Sequence, residues 1–80
     1  MLHAQYPERA ADWQPWRRWV AECARSLFAT DAGFEWFARR HRATLIDSGQ
    51  FIVRKGRAGA LVGPDIDRVV LEILRREVGA

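Results

Sequence analysis

The chain contains almost no cysteine, and this limits what can hold its fold together. Cys23 is the only cysteine among 80 residues, so no disulfide can form within the chain. A single cysteine suits the reducing conditions of the cytosol. The sequence also lacks the ~18 consecutive apolar residues of a membrane span, and its first ten residues hold no apolar run of signal-peptide length. We therefore expect a cytoplasmic protein with no membrane contact.

The common signatures of catalytic and metal sites are lacking as well. The soft ligands His3, Cys23 and His41 match neither the C-x₂-C nor the H-x₃₋₅-H spacing of zinc sites. Cys23 and His41 fall on predicted core faces, which favours a buried thiol and a core imidazole over a metal site or a Cys–His nucleophile pair. The glycine-rich run 56–63 lacks the G-K-[ST] ending of a phosphate-binding loop. We predict no enzymatic activity, no metal, no cofactor and no small-molecule substrate.

The length and composition indicate one small globular domain. Of the residues, 49% are hydrophobic and 29% are charged, which is typical of a folded domain and not of a disordered chain. Four tryptophans and four phenylalanines supply the large side chains that a small core needs. Residues 1–80 are therefore expected to form a single domain. Residues 1–11 are expected to be a flexible terminus, because Pro7 breaks any early helix.

The first predicted helix is rich in tryptophan. It is expected to run from Asp12 to Ala29, with Asp12 as its N-cap and Pro15 in the first turn, where proline is tolerated. Trp19 lies at the edge of the apolar stripe, and whether it faces the core or a partner stays open. The stripe itself recurs at helical spacing and contains Trp13, Trp16, Val20, Cys23, Ala24 and Leu27.

A second helix follows, and its faces are less clearly divided. Thr30 or Asp31 is expected to cap it, and it should run to residue 47 or 48 and end at Gly49. Trp36 lies opposite its apolar face. Either the helix packs on two sides, which we favour for so small a domain, or Trp36 is exposed among arginines. The apolar face contains Phe34, Phe37, Ala38, His41 and Leu45.

A hairpin and a last helix complete the predicted fold. Gln50–Arg54 alternates as a strand, residues 55–59 read as its turn, and Ala60–Gly63 is the return strand. Pro64 and Asp65 open a clearly amphipathic helix that ends at Gly79. The predicted fold is α+β, with three helices packed on a two-stranded antiparallel hairpin in the order α-α-β-β-α. Its predicted core contains Trp13, Trp16, Phe37, Leu45, Ile66, Val69, Val70 and Ile73.

Positive charge is concentrated in one segment of the chain. Residues 34–63 carry six basic and two acidic side chains, whereas residues 1–33 are neutral overall and residues 64–80 have a net charge of −1. The whole net charge of +3 therefore comes from the second helix and the hairpin. Such a field attracts polyanions, and nucleic acid is the first to consider. We favour this interpretation over a merely solvated surface. The basic residues are Arg39, Arg40, Arg42, Arg54, Lys55 and Arg57.

The same region resembles a known family of DNA-binding domains. Residues 42–49, 51–57, 61–62 and 64–67 resemble excisionase and MerR-type winged-helix domains. In that family a recognition helix ends in a small residue and glycine, here Ser48 and Gly49, and a short wing hairpin follows. Val53-Arg54-Lys55-Gly56-Arg57 matches the core of the wing. The resemblance covers residues 39–74, and a tryptophan-rich helix stands where the family has its leading helix.

This resemblance implies a winged-helix-like fold and a partner, double-stranded DNA. It places Arg39, Arg40 and Arg42 on the helix that reads bases. It places Arg54, Lys55 and Arg57 in the wing, where they bind phosphates. It also implies an accessory or regulatory role in excision or transcription, as in small proteins of bacterial mobile elements.

A different class of function stays open. The tryptophans, together with Leu71 and Val78, exceed what an 80-residue core needs. This excess favours a protein-interaction module without nucleic-acid binding, or a weak homo-oligomer that forms through Leu71 and Val78. Salt-dependent binding to duplex DNA separates the two hypotheses, because only phosphate contacts predict it.

Overall fold

The computed structural model describes residues 9–54 and 59–79, with side chains through residue 77. Within these ranges the fold is α+β, as predicted, but with four α-helices and a three-stranded antiparallel sheet instead of three helices and two strands. After a 3₁₀ turn at Ala10–Asp12, the elements in chain order are β1 (Gln14–Pro15), α1 (Trp16–Cys23), α2 (Asp31–Arg40), α3 (Arg42–Asp47), β2 (Phe51–Val53), β3 (Ala60–Val62) and α4 (Ile66–Gly79).

The first helix is shorter than the sequence predicts. It begins at Trp16 and ends at Cys23, where the prediction had Asp12 and Ala29. Proline disfavours helical backbone in the residue before it, and Pro15 itself is extended, with φ −60° and ψ 142°. The chain around Gln14 therefore pairs with β3 as a strand instead of starting a helix.

The second predicted helix is two helices. Thr30 caps α2 as expected, since its hydroxyl accepts a hydrogen bond from the amide of Gly33 at 3.2 Å. The helix breaks at His41, whose backbone has φ −120° and ψ 27°. Two contacts hold this residue in place: its ring packs on Phe37, with centroids 4.8 Å apart, and its Nε2 lies 2.6 Å from Oε2 of Glu77 on α4.

The sheet has the order β1-β3-β2, and β1 is the strand that the sequence pattern did not predict. Gln14 and Phe51 both lie opposite Val62, and Ile52 lies opposite Leu61. Gly49, whose φ is +79°, leads from α3 into β2, so its predicted role at the helix end is confirmed. Because side chains alternate along a strand, the hairpin has an inner face towards the helices and an outer face that includes Ile52 and Leu61.

Aromatic rings form the centre of the core. Phe34 is almost fully buried, and its ring centroid lies 5.1 Å from that of Trp16, 5.2 Å from Phe28 and 5.7 Å from Trp19. Seven of the eight predicted core residues are buried; Trp13, which precedes the helix, is only half-buried. The buried set is Trp16, Phe37, Leu45, Ile66, Val69, Val70 and Ile73.

The structure answers the open question about Trp19 and corrects two further burial predictions. Trp19 faces the core: only 2% of it is exposed, and its Nε1 donates to Oδ1 of Asp67 at 2.7 Å. Trp36 is 64% exposed, so α2 packs on one side and not on two. Cys23 is exposed, because the buried side of α1 runs from Trp16 through Val20 to Ala24 and Cys23 lies beside it. No helix in the described ranges is long and apolar enough to cross a membrane.

Candidate nucleic-acid interface

An exposed strip with an aromatic ring and two cations runs along the outer side of α2 and into α3. Trp36, Arg39 and Arg42 follow one another at three-residue spacing, close to one helical turn. The guanidinium carbon of Arg39 lies 5.5 Å from the centroid of the Trp36 ring, which is within the range of a cation–π contact. All three side chains are exposed. The strip therefore presents a flat ring and positive charge side by side.

The two cations of the strip also line a groove beside the hairpin, here called the basic groove. Arg39 and Arg42 form its helical wall, and Val53 and Gly59 stand on the hairpin side. Its volume is about 170 Å³, and a neighbouring hollow of about 150 Å³ continues it towards Trp16. These volumes are below the ~300 Å³ at which pockets for drug-sized ligands begin. The groove is therefore small for a drug-sized organic ligand.

Arg17 is a third cation near the groove, and sequence patterns did not single it out. Its guanidinium carbon lies 4.7 Å from the ring centroid of Trp16, and its Nη1 would lie 3.9 Å from a Cβ placed on Gly59. Arg17 also forms ion pairs with Asp31 and Glu35, at 3.7 and 3.8 Å. Part of its charge is therefore compensated. No local pattern could have found it, because its approach to Gly59 joins segments 42 residues apart.

Arg40 differs from its two neighbours on the helix. Its Nη2 lies 2.9 Å from Oε2 of Glu77, and His41 contacts the same oxygen. The Arg40 guanidinium is thus directed to α4, and it is not part of the wall of the basic groove. The structure brings Arg39 and Arg42 together and leaves Arg40 apart from them.

Of the predicted wing residues, only Arg54 lies in the part of the chain that the structure describes. Val53 and Ala60, the paired residues at the ends of β2 and β3, both line the groove. Arg54 follows β2 and is half-buried; its Nε is shielded from solvent and has no hydrogen-bond partner in the described part of the chain. Lys55 and Arg57 lie outside the described residues.

A second, apolar surface lies on the outer face of the sheet. Trp13, Ile52 and Leu61 line an open cleft of about 500 Å³, with Arg9 and Ala10 at its rim. Ile52 is 45% exposed. This cleft and the basic groove lie on opposite faces of the hairpin, since Ile52 alternates with the groove residue Val53. The two surfaces can therefore be tested by separate substitutions.

Among residues 9–54 and 59–79, no group of three or more His, Cys, Asp or Glu side chains is placed to hold a metal ion. His41 contacts Glu77 on α4, and Cys23 is exposed at the end of α1.

Comparison with known proteins gives no relative: no protein-family model, no curated protein and no solved structure matches the chain. The candidate interface therefore stands on its own geometry and charge.

Proposed function

We propose that this domain binds double-stranded DNA in the manner of a winged helix, without chemistry of its own. The observation that carries the proposal is the uncompensated charge of the basic groove. Arg39 and Arg42 both line it, and neither forms an ion pair with any residue that the structure describes. Arginine is the side chain best suited to phosphate and guanine, because its planar guanidinium donates two parallel hydrogen bonds.

In this proposal the two walls of the groove have different tasks. The helical wall, with Arg39 and Arg42, faces the major groove, where a guanidinium group can contact base edges as well as the phosphates that border the groove. The hairpin faces the flanking backbone, so Arg54, Lys55 and Arg57 contact phosphates and carry no sequence preference. Arg40 contributes least, because Glu77 already accepts its hydrogen bond.

The proposal is tested by titrating ¹⁵N-labelled protein with a mixed-sequence duplex at low salt, where phosphate contacts are strongest. We expect amide shifts confined to residues 36–42 and 51–60. Arg75 on the exposed side of α4 is an internal control and should not shift. Absence of shifts in these two segments, or equal shifts over the whole surface, would contradict the proposed interface.

The resemblance to excisionase and MerR-type domains supports an accessory or regulatory role in excision or transcription, and a cytoplasmic location is consistent with it. Such a role requires preferred sites as well as general affinity. Selection from a pool of random duplexes is expected to enrich a discrete motif. Recovery of unenriched sequences would contradict the regulatory part of the proposal and leave only general DNA binding.

The apolar cleft supports a second candidate, a protein-interaction module. The cleft offers one docking surface, lined by Trp13, Ile52 and Leu61. The exposed Leu71 on α4 offers a second surface, for self-association. Val78 is the other residue of the predicted homo-oligomer contact, and its side chain lies outside the described part of the structure. The substitution Ile52→Gln separates the candidates. If DNA binding is the function, it leaves DNA affinity unchanged, whereas Arg42→Ala reduces it. Loss of affinity with Ile52→Gln but not with Arg42→Ala would contradict the DNA interface.

A further inference from the structure

Trp36 has no structural task that explains its exposure. It is the most exposed large apolar side chain in the described part of the chain, at 64%, while Trp16 and Trp19 are buried. The ring adds nothing to the core, and its one cation–π partner is Arg39 beside it. An indole left in water forgoes the stabilisation that burial would give it. A ligand that covers the ring would recover this energy.

The surroundings of Trp36 select the kind of ligand. Glu35 is paired with Arg17, and Arg39 and Arg42 continue the strip one and two turns further along. A second copy of this surface would bring like charges together, which disfavours self-association here. A nucleotide offers the complementary pair of features: a flat base for the ring and a phosphate for the guanidinium groups.

An unpaired base is the ligand that suits the ring best. Inside an intact duplex the faces of each base are covered by its neighbours, so an aromatic side chain can stack only after base steps are unstacked or a base is displaced, which costs free energy. An exposed base is different, because every base has a free π-face that an aromatic residue can cover.

We infer that Trp36 stacks on an unpaired nucleobase, so that the preferred ligand of the interface is a duplex that contains an unpaired base. This inference rests on the proposed function, since Arg39 and Arg42 hold the flanking phosphates while the ring covers the base. It narrows the partner from duplex DNA in general to duplex DNA with a local single-stranded position.

The test compares two DNA probes that differ at one position. One is a mixed-sequence duplex, and the other is the same duplex with a single unpaired adenine at its centre. Loss of an aromatic–base stack costs ~1–3 kcal/mol, which corresponds to about a 5- to 150-fold change in affinity. The protein should bind the second probe tighter by a factor in this range. Trp36→Ala should remove the difference between the two probes, whereas Arg18→Ala, which removes a cation that pairs with Glu22 on α1, should leave the affinity for both probes unchanged.

Two further variants make the outcome specific. Trp36→Phe keeps a ring and should retain part of the preference, whereas Trp36→Leu keeps apolar surface without a ring and should retain none. Fluorescence gives a second readout: the unpaired base should quench emission of the unmodified protein but not of Trp36→Phe, in which the other three tryptophans serve as reference.

Failure of this inference can be told apart from failure of the proposed function. Equal affinity of the unmodified protein for both probes, together with loss of affinity in Arg42→Ala, would overturn the stacking inference and leave DNA binding in place. If neither probe binds at low salt, both the proposed function and the inference are overturned.

Discussion

Both sides of α2 carry aromatic side chains, but those on the inner side are buried and the one on the outer side is exposed. On the inner side Phe34 and Phe37 are buried in a cluster of rings, and on the outer side Trp36 is exposed beside Arg39. Packing requires the inner residues, because a small domain has few other large side chains with which to fill its core. No contact among the described residues requires the outer ring. Where a costly side chain has no structural task, a binding task is the better explanation.

Truncation on the inner side should have the largest effect. Phe34→Ala removes a ring that contacts Trp16, Trp19, Phe28, Phe37 and Phe51. We expect a loss of about 3–5 kcal/mol in the free energy of unfolding, from lost transfer energy and from the cavity left behind. Urea denaturation measures it. If the variant does not fold at all, Phe34→Leu should fold with a smaller loss, and a loss below about 1 kcal/mol for Phe34→Ala would contradict its central position.

Close packing around Gly63, which follows β3, should give a smaller effect. A Cβ at Gly63 would collide with Oε1 of Gln50 and lie 2.9 Å from the ring of Trp13. That oxygen accepts a hydrogen bond from the amide of Asp65 at 2.7 Å, ahead of α4. Gly63→Ala should therefore cost about 1–3 kcal/mol, as overpacking does. An unchanged midpoint of denaturation would show that the site has room.

Gly33→Ala is the matched control, with the opposite sign expected. Gly33 lies in the first turn of α2, and a Cβ there would meet Oγ1 of Thr30 at 3.7 Å, an ordinary contact. Alanine restricts the unfolded chain and favours the helix, so the variant should be more stable by about 0.4–1 kcal/mol. Equal destabilisation of the Gly33 and Gly63 variants would mean that contact at Gly63 is not the cause.

The outer side of α2 should show the smallest effect on stability. Trp36→Ala removes a ring that is mostly in water, and exposed substitutions usually change stability by less than about 0.5 kcal/mol. The comparison with Phe34→Ala uses the same method and the same helix. A loss of several kcal/mol would show that the ring supports the fold, and the argument for a binding role would then lose its basis.

Sequence patterns predicted best the elements whose causes are local. Strand β2 is present where Phe51 and Ile52 alternate, and α4 begins directly after Pro64 and Asp65. In both cases the sequence signal lies next to the element that it determines. The failures have distant causes. Strand β1 is only two residues long and depends on pairing with Val62, 48 residues beyond Gln14. Two residues are too few to show the alternation of side chains that predicts a strand.

The break at His41 and the division of the arginines both involve one distant contact that the sequence could not reveal. Glu77 on α4 contacts both His41 and Arg40, 36 and 37 residues away. A continuous helix was the reasonable prediction from spacing alone, and on it the three helix arginines looked equivalent. Charge clustering correctly indicated which segment is basic, but only the tertiary contact shows that Arg39 and Arg42 share a groove while Arg40 does not.

The salt dependence of DNA binding by the unmodified protein and two single-charge variants tests the central claim most directly. Arg42→Ala removes a cation from the basic groove, and Arg18→Ala removes one that pairs with Glu22 on α1, so the net charge changes equally. We expect the slope of log K against log salt to fall by about 1 for Arg42→Ala, as for loss of one phosphate contact, and to stay unchanged for Arg18→Ala. Identical slopes for all three proteins, or binding that does not depend on salt, would contradict the account.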